Sequence, residues 1–196
     1  MNITINDKRY KIRQSNTLTV AEYLALMENS QINIANYLQV VTGEDFKTIL
    51  KTTANENSVR TLKNYIGEIK TAADFANGSF KEFDILGKTY KAKKMDWQAV
   101  GTRIMFEQRI NKTQNMYALA VYILAVLIEG NFEAEASEEV YQKLLKENYL
   151  DVMPSAVFFF AKLNRGYLND KKLLKVLKII ARDLTKSFGS QQGFHA

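Results

Sequence analysis

Polar and apolar positions alternate in two short stretches of this chain and recur at helical spacing almost everywhere else. Ile3 and Ile5 alternate with Asn2, Thr4 and Asn6, and Tyr10 and Ile12 alternate with Lys11 and Arg13. A period of two on either side of Asn6 and Asp7 predicts a β-hairpin. Phe83 and Ile85 flank Asp84, Gly87 and Lys88 supply a turn, and Tyr90 follows, which predicts a second hairpin. An offset of 80 positions places Ile5 on Ile85, Lys8 on Lys88, Tyr10 on Tyr90 and Lys11 on Lys91. Each hairpin precedes a helix with a capping residue, Thr19 or Asp96. The repeat fits a duplicated hairpin-plus-helix unit, or two amphipathic hairpins that merely look alike.

The remaining pattern predicts helices. Thr19 and Glu22 form a capping box ahead of Val20, Tyr23, Leu24 and Met27. Ser30 is the expected cap of a second helix carrying Ile34, Tyr37, Leu38 and Val41, with Gly43 as its stop. Phe46, Ile49 and Leu50 mark a short third helix. Ser58 is the expected cap of a fourth, running through Leu62, Tyr65, Ile66 and Ile69 towards Phe75. Asn77, Gly78 and Ser79 form a boundary, dividing the chain into residues 1–79 and 80–196. Beyond it, Asp96 leads a helix with Trp97, Val100 and Ile104. The apolar run from Met116 to Ile128 predicts a buried helix ending near Gly130. Ser137 with Glu138 and Glu139 reads as a helix start. Pro154 fits the first turn of a helix closed by Gly166, and Asp170 caps the last helix, which carries Leu173, Leu174, Leu177, Ile180 and Leu184. The expected fold is mainly α, a helical bundle with two small β-hairpins and a short flexible C-terminal tail.

Composition narrows the chemistry. The 196 residues include no Cys, one His (His195) and one Pro. Cysteine ligation, disulfides and thiol nucleophiles are thereby excluded, and a histidine beside the C-terminus lacks the fixed partners a general base needs. Glycine-rich phosphate loops, HExxH and GxSxG are absent. The expectation is therefore a protein that is not an enzyme and takes no cofactor or metal. The opening MNITIND lacks the order of a signal peptide. The longest apolar run is shorter than the roughly 20 residues a membrane-spanning helix needs, so no membrane span is expected.

The charge pattern and the aromatic pattern suggest surfaces. The net charge is +6, but an acidic stretch from Asn131 to Asp151 is followed by a basic one from Lys162 to Lys186. Blocks of opposite sign suggest complementary surfaces, within the chain or between copies. Lys171, Lys175, Lys178 and Arg182 recur at helical spacing and offer one electrostatic contact face. That face suits a nucleic-acid backbone, a solvated helix side, or the acidic block of a neighbouring copy. Phe158, Phe159 and Phe160 spread over about 200° of a helix, so one face cannot bury all three. They are candidate interface residues, as are Tyr10 and Tyr90.

The stretch ITINDKRYKI, the following Thr19 to Tyr23 (TVAEY), and the later Met153-Pro154-Ser155-Ala156 with Phe158 and Phe159 resemble small morphogenesis proteins of tailed bacteriophages. Tail-assembly chaperones and baseplate-hub assembly proteins are the types they look like. The resemblance covers about a third of the chain and leaves aside the duplicated hairpin and the basic last helix. It implies a structural or assembly protein of the virion, assembled in the host cytoplasm. Such a protein would act as a multimeric ring in the tail or head–tail connector region. Its partners would be copies of itself and other phage structural proteins. A chaperone not retained in the virion and a nucleic-acid-binding module stay open as alternatives.

Overall fold

The computed structural model describes residues 2–5, 8–28, 32–51, 56–75, 82–91, 109, 115–130 and 134–166. They form a mainly helical protein with a small antiparallel β component. Strands β1 (Asn2–Ile5) and β2 (Lys8–Lys11) pair antiparallel with Ile3 opposite Tyr10 and Ile5 opposite Lys8, so residues 6 and 7 connect them. Helix α1 (Val20–Glu28) begins at the expected capping box. The Thr19 N–H donates to Glu22 Oε2 at 2.8 Å, and the Glu22 N–H donates back to Thr19 Oγ1 at 3.3 Å.

Helix α2 (Ile34–Thr42) is capped by Asn33 and not by Ser30, because Asn33 Oδ1 accepts the Asn36 N–H at 2.9 Å. Gly43 ends it, at the left-handed φ of 71° that only glycine adopts without strain. Asp45 caps α3 (Phe46–Leu50). Helix α4 (Glu56–Gly67) already contains Ser58 as its third residue, buried within the first turn, so Ser58 is not the cap. A separate helix, α5 (Ala72–Phe75), follows, with the Thr71 N–H donating to Asp74 Oδ2 at 2.6 Å.

Strands β3 (Glu82–Ile85) and β4 (Lys88–Lys91) repeat the first hairpin's register at the same offset: Phe83 faces Tyr90 and Ile85 faces Lys88. Leu86 (φ 54°) and Gly87 (φ 70°) make the turn, both with positive φ, as the twist of a two-residue hairpin requires. A left-handed leucine costs about 1–2 kcal/mol. The Leu86 side chain packs against the core, which offsets that cost.

Helix α6 (Met116–Glu129) is the apolar run, capped by Asn115 and stopped by Gly130 at φ 81°. Every residue from Ala118 to Val126 is buried. Helices α7 (Ala134–Leu144) and α8 (Tyr149–Gly166) flank it, and α1 also touches it. Ser137 lies one turn inside α7 and fully buried, so the helix starts before it. Pro154 lies inside α8 rather than at its start. Asn148 Oδ1 accepts the Leu150 N–H at 2.9 Å, and the fully buried Tyr149, Val152 and Met153 anchor the turn before the proline. That anchoring offsets the backbone bond that proline cannot make.

Helix α8 contacts α1, α5, α6 and β3. A single core runs from Ile12 through Tyr37, Leu62 and Ile85 to Phe159. The end of α7 also feeds the start of α1. The Val20 N–H donates to the Glu147 carbonyl at 2.9 Å and the Ala21 N–H to the Leu145 carbonyl at 3.0 Å. Orphan donors at one helix start thus meet carbonyls just past another helix end, with favourable dipole signs. The boundary expected at Asn77 to Ser79, the helix expected from Asp96 and the last helix from Asp170 lie outside the described residues.

Candidate functional site

The two hairpin tyrosines occupy equivalent places. Tyr10 and Tyr90 are both half-buried and packed against the core. Ile85 of the second hairpin is buried, whereas its cross-strand partner Lys88, on the same face at the turn end, is exposed. Arg9 and Lys11 on β2, and Glu82 and Asp84 on β3, are exposed. Tyr10, Ile85 and Tyr90 thus meet the core, while the alternate positions Arg9, Lys11, Glu82 and Asp84 present charge. Thr89 Oγ1 donates across the second hairpin to Asp84 Oδ1 at 2.5 Å.

The phenylalanine run divides as its helical spread requires. Phe159 is buried, while Phe158 and Phe160 are half-buried at the edge of the same core. The rings of Phe158 and Phe159 meet edge to face at 5.2 Å. The basic set Lys171, Lys175, Lys178 and Arg182 lies outside the described residues.

Two polar aromatic clusters escaped the sequence pattern. In the first, Tyr23 of α1 stacks on Tyr149 of α8 at 4.7 Å, and Tyr117 of α6 meets Tyr23 edge-on at 5.5 Å. Both hydroxyls of the stacked pair close on the backbone of Lys70. Tyr23 donates to its carbonyl at 3.1 Å, and its N–H donates to the Tyr149 hydroxyl at 3.4 Å. Burial pushes both phenols above their ordinary pKa, and for Tyr23 the neighbouring tyrosines add to the rise. These hydroxyls stay protonated and act as hydrogen-bonding pins.

In the second cluster the Arg109 guanidinium lies over the rings of Tyr122 and Tyr141, 4.6 and 4.5 Å from their centres. Its Nη1 pairs with Glu138 Oε2 at 3.1 Å. Glu138 also accepts from Gln142 Nε2 at 2.8 Å. Burial raises the Tyr122 pKa, with the Arg109 charge opposing that rise. Arg109 Nε and Ser137 Oγ are buried with no hydrogen-bond partner among the described residues. Arg109 stands among Glu107, Gln108, Asn111 and Lys112 in the chain, so nothing in the order of residues singles it out as buried.

Beside this cluster, and sharing Glu138 and Gln142 with it, Glu135, Glu139, Lys143 and Lys146 line an open hollow of about 510 Å³ along α7. Among the described residues no group of three or more His, Cys, Asp or Glu side chains could hold a metal ion. No single described helix is long and apolar enough to cross a membrane. No family model matches the chain, and no match to it is found among curated proteins or solved structures.

Proposed function

We propose that this chain is a non-enzymatic structural or assembly protein of a tailed bacteriophage, working as a repeated subunit of a ring in the tail or head–tail connector region. The observation that carries this reading is the pair of hairpins with one register, each meeting the core and presenting charge at alternate positions. A protein with two equivalent strand edges is suited to contacts on two sides, because an exposed edge accepts a further strand from a neighbour. Head-to-tail contacts of that kind close into rings when the rotation between subunits permits. The resemblance of ITINDKRYKI, TVAEY and the Met153 to Phe159 segment to phage morphogenesis proteins supports the same reading. The partners are then copies of the chain and other virion proteins, brought together in the host cytoplasm.

Mass spectrometry of purified phage particles, together with pull-down of tail proteins, tests this. Presence in particles at a fixed multiple of a known tail component is the expected result. Absence from particles combined with binding to a tail protein would instead mark a transient chaperone. Absence from both overturns the proposal. Salt-dependent DNA binding that disappears on changing Lys171, Lys175, Lys178 and Arg182 to Gln would favour the nucleic-acid module.

A further inference from the structure

Among the described elements, helix α7 packs chiefly against α6 and turns its other side outwards. Glu135, Glu139, Gln142 and Lys143 are exposed on that side. So is Lys146 in the turn just past the helix, where its N–H donates to the Lys143 carbonyl at 3.1 Å. With the half-buried Glu138 they line the open hollow. The charges are sorted along it: carboxylates come first and ammonium groups last. The helix dipole favours that order, yet the order leaves charges unused. Glu139 and Lys143 stand at helical spacing, but neither they nor Glu135 and Lys146 have a side-chain ion pair or hydrogen bond among the described residues.

We propose that this face docks on the same face of a second copy, with the two α7 helices antiparallel about a twofold axis. The axis passes between Glu139 and Gln142. Glu135 then faces the partner subunit's Lys146, and Glu139 faces the partner subunit's Lys143. Both pairs centre on nearly the same point of the chain, so one axis serves both. Positions 135, 139, 142 and 146 fall within about 60° of one another at helical spacing, which brings them to the contact together. Glu138 is not needed for the contact, because Arg109 holds its Oε2 and Gln142 Nε2 its Oε1. The hollow is open, so the long Lys and Glu side chains of the second copy can enter it.

The same charges reject the other arrangements. Parallel helices would set Glu135 and Glu139 against their own kind. A slip of one turn either brings the two Glu139 carboxylates together or leaves Glu135 without a lysine. The antiparallel register uses every charge and also opposes the two helix dipoles favourably. Exposed ion pairs are individually weak and screened by salt, so the dimer is weak and salt-sensitive. A contact of one face with itself closes at two copies. In a ring-forming subunit it joins two rings face to face instead of enlarging one.

This inference deepens the assembly reading, rests on it for the meeting of copies in the particle, and names the partner as a second copy of this chain. Sedimentation velocity of the full chain should show dimers in low salt that dissociate at about 1 M salt, where the Debye length is roughly 3 Å. Two double variants break the contact: Glu135→Lys with Glu139→Lys, and Lys143→Glu with Lys146→Glu. Each alone should raise the dissociation constant about tenfold or more, since its attractions become repulsions. An equimolar mixture should restore dimers, because one variant's face is basic and the other's acidic. Wild-type protein, half of it labelled with heavy nitrogen, should give carbodiimide cross-links from Glu135 to Lys146 between light and heavy copies. A wild type that stays monomeric in low salt, cross-links confined to single copies, or variants that associate like the wild type would each overturn the pairing. So would a mixture that stays monomeric while both variants melt like the wild type. The isotope cross-link uses no variant, so misfolding of either variant cannot shield the proposal. Particles that contain the chain without this dimer defeat the pairing and leave the assembly reading standing. A charge-dependent dimer of a chain absent from particles and tail complexes does the reverse.

Discussion

Two tyrosine pairs lie against the buried helix region and do different work with the same side chain. Tyr23 and Tyr149 stack face to face and use their hydroxyls to grip both polar groups of one residue's backbone, Lys70. Tyr122 and Tyr141 meet edge-on at 5.8 Å and use their faces to hold the Arg109 guanidinium. The first pair is fully buried and ties α1, α8 and the segment before α5 together. The second has an outlet to solvent through Glu138, whose side chain is 41 % exposed, and holds two buried polar atoms that find no partner among the described residues. A tyrosine hydroxyl pinned to backbone locks a fold. A tyrosine face under a cation whose counter-ion is solvated contributes less, because water competes for both charges. The Lys70 cluster should therefore dominate stability.

The sharpest break of that comparison is Tyr149→Ala, which removes the stack and leaves a large void. We expect a loss of about 3–5 kcal/mol, read from urea denaturation as a lower midpoint at unchanged slope. A loss as small as that of an Arg109 variant would invalidate the ranking. Alkaline pH comes next. Tyr23 and Tyr149 have raised pKa values in the folded protein, and burial pushes Tyr37 up to about 12. A raised phenol favours the fold fully below the unfolded value near 10 and loses that contribution as pH rises towards the folded value. Thermal melts should hold between pH 8 and 9 and fall steeply between about pH 10 and 12. Tyr23→Phe removes one donor to the Lys70 carbonyl and should cost about 1–2 kcal/mol.

Arg109→Gln should cost about 1 kcal/mol, with added salt narrowing the gap to wild type in parallel melts. A larger, salt-independent loss would mean that the sandwich is as decisive as the Lys70 pin. Ser137→Ala is the smallest change and the one with the opposite sign. Removing a buried hydroxyl with no partner should leave stability unchanged or raise it by up to about 1 kcal/mol. A clear destabilisation would show that the hydroxyl is satisfied by water or by a segment outside the described residues.

Local features were legible in the amino-acid order because their cause is local. The Thr19 and Glu22 box, the stops at Gly43 and Gly130, the buried run from Met116 and the shared hairpin register each depend on residues a few positions apart. Helix starts were misplaced where a polar residue that favours caps was recruited elsewhere. Ser58 and Ser137 look like caps, yet packing buries them inside helices. Pro154 looks like a first-turn residue, yet buried anchors before it extend α8 towards Tyr149.

Of the candidate contact residues, the order of residues placed Tyr10 and Tyr90 on matching strands and spread the three phenylalanines around one helix. Only tertiary packing decided that Phe159 goes inwards and that its neighbours sit at the core edge. The Lys70 clamp joins positions 47 and 79 residues apart in sequence, and the Arg109 pair spans 29. No periodicity connects such distances. Secondary structure follows from short-range sterics, hydrogen bonding and hydrophobic spacing, which the chain carries within each turn or strand pair. Which tyrosine pins a backbone and which holds a cation follows from the three-dimensional meeting of helices, where burial sets both the partner and its strength.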